Sequence, residues 1–595
     1  MIQSEVDRDG EAEASSSAKA IDASPVLKQP PPEKAEETKT RRWIIVCFWA
    51  IVTLLGLPMW YSTTTVPRAS LPLETMNRWA EGKVGTVLPF ISTELTAIHY
   101  KACDLQIPVY IALEAPVLSH KSTQELVRMV QEDLDQQSDN DFHRLHVALP
   151  ANNTSDVNPG VASPCYISPL SGLPVTQSIA ATLRLTPGKA EPKSRAKPQP
   201  FTSIIDFHYD ASHDDVSSDL SRNIVDQLRD LFAEERSTMT QILSARSVRN
   251  DASVTQAQSS TTGDFDKRSN RAFKYAPTYH LTFSLFSGSA LPSSWDIKAA
   301  LEEYLAPFLE SFSSISTFTV DTQVQLYASL APSLHGPIYD ETTEKWTLMR
   351  SDLSAFVNAA EWPLNPSIGV GPTVNFVLYV PAEHQAPLVI EETGGTSWLI
   401  PQWGGVQILN PDLMNPDLKA QNASEERLVL TKKELEPVMR VFVEQLDSLL
   451  GLPQSPPSLP LRLSGLTRER AASLMLSASS TLGALARLSL KLTSIAIHDN
   501  VALSVQKSIK HLESACENLH AGRSDMALQD ARIADAEAER AFFEPSMVGQ
   551  VYFPDEHKVA VYVPLLGPMA VPLIMVVLKE LKKFRQRKTT PALKN

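Results

Sequence analysis

At 595 residues with 43% hydrophobic content, the chain is long and apolar enough to bury several domains' worth of core. A formal charge of −14 argues against a nucleic-acid binder, because neutralising phosphates needs a dominant basic surface. Proline, at 43, outnumbers glycine, at 22, so extended connections and interrupted elements are expected, and no repeat at a fixed period is visible.

Residues 1–40 are rich in Glu, Ser, Ala and Pro with few large apolar groups. Such a segment buries too little surface to offset ordering and is expected to be a disordered tail. From Trp43 to Pro67 no residue is charged, and WIIVCFWAIVTLLGLPMW has tryptophan near both ends. Residues 41–62 are therefore expected to be a first transmembrane helix, the alternative being a cleaved signal peptide. Cys47 in this run would act as a small hydrophobe.

Beyond the span, Leu73 to Gly85 has the pattern of a juxtamembrane helix. LQIPVYIAL (Leu105 to Leu113) has strand character. STQELVRMVQEDLDQQ (Ser122 to Gln137) opens on a Ser-x-x-Glu capping signature and predicts a helix, and HRLHVALP (His143 to Pro150) returns to strand. Together these predict a βαβ-like unit. TPGKAEPKSRAKPQP (Thr186 to Pro200) looks like a linker and Asn250 to Asn270 a polar loop. FTSIIDFHY (Phe201 to Tyr209), YHLTFSLFS (Tyr279 to Ser287) and STFTVDTQVQLYA (Ser316 to Ala328) predict strands. Val216 to Val248 and Ile297 to Phe312 predict helices.

Beyond Pro437 the pattern changes. Met475, Ala478, Leu482, Leu485, Leu488, Leu492 and Ile495 recur by threes and fours. So do Val505, Ile509, Leu512, Cys516 and Leu519, and then Leu528, Ala531, Ala534, Ala538 and Phe542. Three amphipathic helices with breaks at 498–500 and 522–524 would fold back as a bundle, or present a stripe to a partner. The second charge-free run, Val559 to Leu578, covers about 30 Å as a helix and predicts a second span, unless it is a buried core helix or a lipid-attachment signal. Pro564, Pro568 and Pro572 mark one side of it beside Gly567, which fits either close partner helices or a kinked lone anchor.

The fold class expected is thus mixed α/β with a C-terminal helical bundle, flanked by two transmembrane helices. Its segments are a lumenal α/β domain over 63–465, a helical bundle over 466–545, a span over 559–578 and a basic tail over 579–595. Lys39, Arg41 and Arg42 before the first span, and the basic tail after the second, place both termini in the cytosol. Sequons at Asn152, Asn153 and Asn422 then fall on the lumenal side as glycosylation candidates.

Chemistry is sparse. HYDASHDD (His208 to Asp215) could bind a divalent ion, but its aspartates also suit the N-terminus of the helix beginning near Val216. His143 and His146, three apart on a strand, face opposite ways and cannot chelate together. No HExxH, GxSxG, Walker A or dinucleotide fingerprint occurs. Cys47, Cys103, Cys165 and Cys516 are too scattered for a zinc site or a disulfide framework; if Cys103 and Cys165 pair, an oxidising lumen would permit it, but the sequence does not require it. No catalytic residue, metal or cofactor is expected.

Three stretches, taken in order, resemble the PIG-S family: GLPMWYSTTTVPRASLP (Gly56 to Pro72), FVNAAEW (Phe356 to Trp362) with NFVLYVP (Asn375 to Pro381), and WLIPQWGGVQILN (Trp398 to Asn410). From their residues alone, NFVLYVP reads as a buried strand, Gly394-Gly395 as a turn, and WLIPQWGG as a strand end where glycines let the backbone bend. The resemblance implies a non-catalytic assembly subunit of the endoplasmic-reticulum GPI transamidase, which attaches glycosylphosphatidylinositol to the C-terminus of precursors. A separate caspase-like subunit would carry the Cys/His dyad, with lipid, GPI and precursor as further contacts. The alternatives are an independent lumenal hydrolase or transferase, and a membrane-anchored receptor.

Overall fold

The structure, a computed structural model, describes residues 35–56, 68–81, 107–136, 143–150, 177–188, 196–209, 218–248, 267–328, 337–350, 371–410, 429–492 and 495–548, with a few isolated positions besides. The chain divides into two compact units, Met1–Pro67 and Arg68–Asn595. In the first, helix α1 (Ala35–Ile51) runs into a π-helical turn at Val52–Gly56. Many apolar side chains along these two elements are exposed, Trp43 of α1 at 72% and Leu54 of the π turn at 73%. Among the described residues no helix is long and apolar enough to cross a membrane. Of the disordered tail expected over 1–40, residues 1–34 lie outside the described residues, while 35–40 are not disordered but form the first turns of α1. Most of the stretch 559–578 also lies outside the described residues.

The second unit contains two five-stranded sheets. The first uses β1 (Ile107–Glu114), β2 (His143–Ala148), β3 (Ala181–Pro187), β4 (Lys197–Pro198) and β5 (Ile204–Tyr209), in the order β2-β1-β3-β5-β4. All pairings are parallel except β4 with β5. β1 lies inside the sheet between β2 and β3 and is buried over seven of its eight residues, which accounts for its near-continuous apolar sequence. Helix α2 (Leu73–Glu81) precedes the sheet in the chain, and α3 (His120–Gln136) makes the β1 to β2 crossover. The predicted βαβ unit is therefore present. α3 starts two residues earlier than its capping signature suggests, because Ser119 is the cap: its Oγ accepts the Ser122 N–H at 3.1 Å. The predicted Thr186–Pro200 linker is partly strand, since β3 runs to Pro187 and Lys197–Pro198 pairs with β5. Proline is tolerated there because β4 is an edge.

The helix predicted from Val216 to Val248 is two, α4 (Ser218–Leu231) and α5 (Ala233–Val248), parted at Phe232, whose ring is buried beside His143. The polar loop expected over Asn250–Asn270 lies mostly outside the described residues, but 267–271 is helical.

The second sheet uses β6 (Thr278–Ser287), β7 (Thr317–Gln325), β8 (Thr373–Val380), β9 (Ser397–Ile400) and β10 (Gly404–Ile408), in the order β7-β6-β8-β10-β9. Again only the last pairing, β9 with β10, is antiparallel. Helix α6 joins β6 to β7, running from Ile297–Ala300 through a π turn at Leu301–Leu305 into Ala306–Ser311.

Helix α7 (Lys432–Leu450) begins before Pro437, where the sequence pattern places the change of character, and belongs to this sheet. Phe442 packs on Phe376 and Phe283, with ring centroids 5.0 and 5.9 Å away. A capping box of Thr431 and Glu434 starts α7, and Gly451, at φ 74°, ends it. Then come α8 (Leu459–Lys491), α9 (Asp499–His520) and α10 (Ser524–Phe542), the last two bounded at the predicted breaks. Ala527, Ala531, Ala534, Ala538 and Ala541 are all buried, so α10 approaches its neighbours closely, and Ser508 Oγ donates to Ala534 O at 2.8 Å. α2 meets α8 at Gly483, where an added Cβ would lie 2.2 Å from that of Ala80. One continuous apolar cluster joins α2, the β6–β8 face, α7 and these three helices, while a second fills the first sheet with α3 and α4.

Candidate functional site

In doubly wound sheets ligands bind at the carboxyl ends of strands where the order reverses, here β1/β3 and β6/β8. At the first, Glu114 Oε2 lies 3.7 Å from Arg184 Nε, and Thr186 Oγ1 is 2.7 Å from His208 Nδ1. At the second the chain closes the crevice itself. The Gly288 N–H donates to Val380 O at 2.8 Å, and a Cβ on Gly288 would be 2.8 Å from the Ala382 nitrogen.

Of the HYDASHDD cluster only His208 and Tyr209 are described, and no group of three His, Cys, Asp or Glu fit to hold a metal occurs among the described residues. His143 and His146 part as expected. His143 is buried, with Nε2 3.3 Å from Glu235 Oε1, while His146 stacks on Tyr110 at 5.5 Å. The sequons at Asn152, Asn153 and Asn422, and Cys103, lie outside the described residues. Cys516, which the suggested Cys103–Cys165 pair left out, is disulfide-bonded, and Cys47 is free.

Sequence reasoning missed two polar clusters. At the first, Asp530 of α10 receives Ser514 Oγ at 2.6 Å and Asn518 Nδ2 at 2.9 Å, and His511 Nδ1 lies 2.8 Å away, all from α9. A nucleophilic triad would wire serine to histidine and histidine to aspartate. Here serine and histidine both end on the same carboxylate, which makes the cluster a clasp between two helices. Its signal was the spacing of His511, Ser514 and Asn518 along one helix face.

The second cluster is buried. Arg468 of α8 donates to Glu235 of α5 through Nε at 2.6 Å and Nη2 at 2.8 Å, with His143 of β2 on the same carboxylate. Burial alone would raise the Glu235 carboxyl, but Arg468 and His143 overcome it and hold the group far below the usual carboxylate range. Next to it, Glu469 is pushed up by burial despite Arg268, whose Nη2 donates to it at 2.9 Å. Arg268 also lies 3.3 Å from Glu234, which accepts the backbone N–H groups of Gln454 and Ser455. The network ties β2, α5, residues 267–271, the 453–455 turn and α8 together.

A cleft of about 570 Å³ opens beside it between residues 267–277, α8 and α10. On its wall Tyr275 lies between Arg470 and Arg532, 6.0 and 5.6 Å from its ring centre. Arg532 donates to Tyr275 Oη and to the carbonyls of Ser314 and Ile315, fastening α10 to the end of α6. These charges are spent on internal partners.

The profile of the Phosphatidylinositol-glycan biosynthesis class S protein family matches residues 47–587. The chain belongs to this family. GPI-anchor transamidase component PIGS of Homo sapiens is 28% identical over 564 residues, 89% of this chain and 93% of the relative. The Rattus norvegicus protein of that name gives the same figures, and GPI transamidase component GPI17 of Saccharomyces cerevisiae is 24% identical over 92% of this chain and 93% of its own length.

The stretches that carry the family resemblance now have physical roles. Arg68 bridges to Ile497, and its Nη2 donates to Ser489 O at 2.6 Å, pinning the entry to α2 onto the helical region. NFVLYVP is β8, the central strand of the second sheet. WLIPQWGGVQILN is the β9–β10 hairpin. Its glycines begin β10 and are not the bend expected from sequence: a Cβ on Gly404 would sit 1.8 Å from Asn375 O, and one on Gly405 would strike Gln445 of α7. FVNAAEW lies outside the described residues.

Proposed function

We propose that this chain is a non-catalytic assembly subunit of the GPI transamidase complex. The observation that carries this is the family match over 47–587, together with relatives named as GPI transamidase components that align over 93% of their own length. The polar clusters that could have been active sites are used to bind the chain to itself, which supports a scaffold. The bond-making groups, a caspase-like Cys/His dyad, would sit in another subunit.

The chain is held in the endoplasmic-reticulum membrane by spans at 41–62 and 559–578, with both termini cytosolic and the sheets and helices of 63–465 and 466–545 in the lumen. The bare apolar side chains of α1, and of Val571 and Met575, which are 62% and 63% exposed, support this reading, as do the basic residues outside each run. Asn152, Asn153 and Asn422 would then carry glycans, and lipid, GPI and precursor chains are the remaining contacts.

The test is to tag the full chain, solubilise it in mild detergent and identify what co-purifies. Recovery of a caspase-like protease with other membrane subunits is expected, and so is loss of GPI-anchored proteins from the surface of cells lacking the chain. Intact GPI attachment in such cells would refute the proposal. Endoglycosidase-sensitive mobility that falls stepwise on Asn152→Gln, Asn153→Gln and Asn422→Gln reports the lumenal orientation.

A further inference from the structure

The two sheets have four edges, of which one is covered and two are short. On β2, Gln131 Oε1 accepts the Val147 N–H at 2.9 Å and His143 lies against Glu235 of α5. β4 is two residues long and contains Pro198. β9 is four residues long and half-buried. β7 differs from all of them: nine residues, paired without a bulge along its whole length to β6, with no proline, lysine or arginine. Natural sheets usually blunt such an edge with a short strand, Lys, Pro, a bulge or a covering element.

The open groups can be named. The Thr317 N–H donates inward to Pro277 O at 2.9 Å, and in a parallel strand inward and outward residues alternate. Phe318, Val320, Thr322 and Val324 therefore point their N–H and C=O away from β6, and among the described residues nothing meets them. On one face the edge carries Val320 and Val324, each 40% exposed, leading to Leu326 at 36% and Tyr327 at 71%. On the other face Thr317, Thr319, Asp321, Gln323 and Gln325 are all polar, with one charge at the centre.

We infer that β7 is a docking strand for an extended segment of another subunit of the complex. That segment pairs with the outward groups, sets aliphatic side chains beside Val320 and Val324, and places a lysine or arginine near Asp321. The inference rests on the reading of the chain as a transamidase subunit. Only a β backbone satisfies an unbulged ladder, which excludes a lipid surface. A second copy is disfavoured by charge: antiparallel self-pairing centred on the strand would put Asp321 opposite Asp321, and like charges directly opposite destabilise a sheet. The corresponding edge of the first sheet is covered by this chain's own α3 and α5.

The test places a photo-crosslinking residue at Thr322 of the full chain, irradiates the assembled complex in membranes, and maps the linked peptide. A link to an extended lumenal segment of another transamidase subunit is expected. Val320→Pro, which removes an outward donor and no bond to β6, should lower its yield about tenfold or more while protease resistance of the chain is unchanged. Asp321→Lys should lower it too, with recovery when the basic residue of the mapped segment is made acidic. A complex that still co-purifies but gives no link, or links to a second copy or to lipid, overturns the docking strand alone. A chain that recovers no other subunit overturns the transamidase reading and the inference with it.

Discussion

The two sheets are built to one plan and finished differently. Each has strand order second-first-third-fifth-fourth, parallel throughout except for a last hairpin, with a helix crossing from first strand to second. In the first sheet the second strand, β2, is locked into the chain by α3, α5 and the Glu235–Arg468 pair. In the second sheet nothing among the described residues meets the outward groups of its counterpart, β7. A shared topology thus does not impose a shared finish: one outer strand is tied into the chain, and the other meets no such tie among the described residues.

The largest effect expected is on the sealed side. Arg468→Met leaves the Glu235 carboxylate buried with only His143 beside it, and breaking a buried pair in this way costs about 3–5 kcal/mol. Thermal unfolding of the full chain in detergent should fall sharply. A variant with an unchanged transition would show that β2 is held by packing alone.

The hairpins that end the two sheets separate them further. In the first, Pro198 blunts the edge; in the second, Gly404 and Gly405 let β10 lie tight on β8 and α7. Gly404→Ala forces a Cβ into Asn375 O at φ +156° and should cost about 1–3 kcal/mol. Pro198→Ala, on an exposed edge, should stay within about 0.5 kcal/mol. Equal effects would remove the distinction.

Much of this was legible from sequence because it follows from local periodicity. β1 and β8 are largely apolar runs of strand length, β6 alternates apolar with small polar residues, and α9 and α10 end at the breaks their sequences mark. The duplication of strand order was not legible, since pairing order depends on contacts far apart in the chain and no residue repeat accompanies it. The Glu235–Arg468–His143 cluster was invisible for the same reason: its members come from three distant elements, and in sequence each resembles a solvated charge. Gly404-Gly405 was seen but misread, because a glycine required by a neighbouring strand looks the same as a glycine at a bend.

The seal should also respond to acid. The Glu235 carboxyl is depressed in the folded chain, so its contribution is fully present above the ordinary glutamate value of about 4.3 and is lost as pH falls through the folded value. Glu235→Gln should therefore be less stable than wild type at pH 7, and the gap should close in acid. Glu469 works the other way: raised by burial, it takes up a proton in the folded chain first, which relieves its cost as pH falls. Unfolding curves for the two proteins from neutral pH downward would check the sign; a gap that widens in acid would mean that Glu235 is not held as the carboxylate.

The smallest expected effect is the sharpest test of the contrast between edges. Gln131→Ala removes the acceptor of the Val147 N–H on β2, where the backbone is half closed off from water, and the net loss of one such bond is about 1 kcal/mol. Thr322→Ala on β7 removes a side chain with no partner among the described residues, from a strand whose outer face is solvated, and should change the stability of the isolated chain by less than about 0.5 kcal/mol. In the assembled complex the Thr322→Ala effect should grow by about 0.2–1 kcal/mol through lost cross-strand contact, while that of Gln131→Ala stays the same. Gln131 is already satisfied within the chain and gains nothing from neighbours, whereas Thr322 stands at the centre of the edge assigned to another subunit. Measuring both variants alone in detergent and in the intact complex therefore separates a strand that stabilises its own sheet from one that is completed only by a partner.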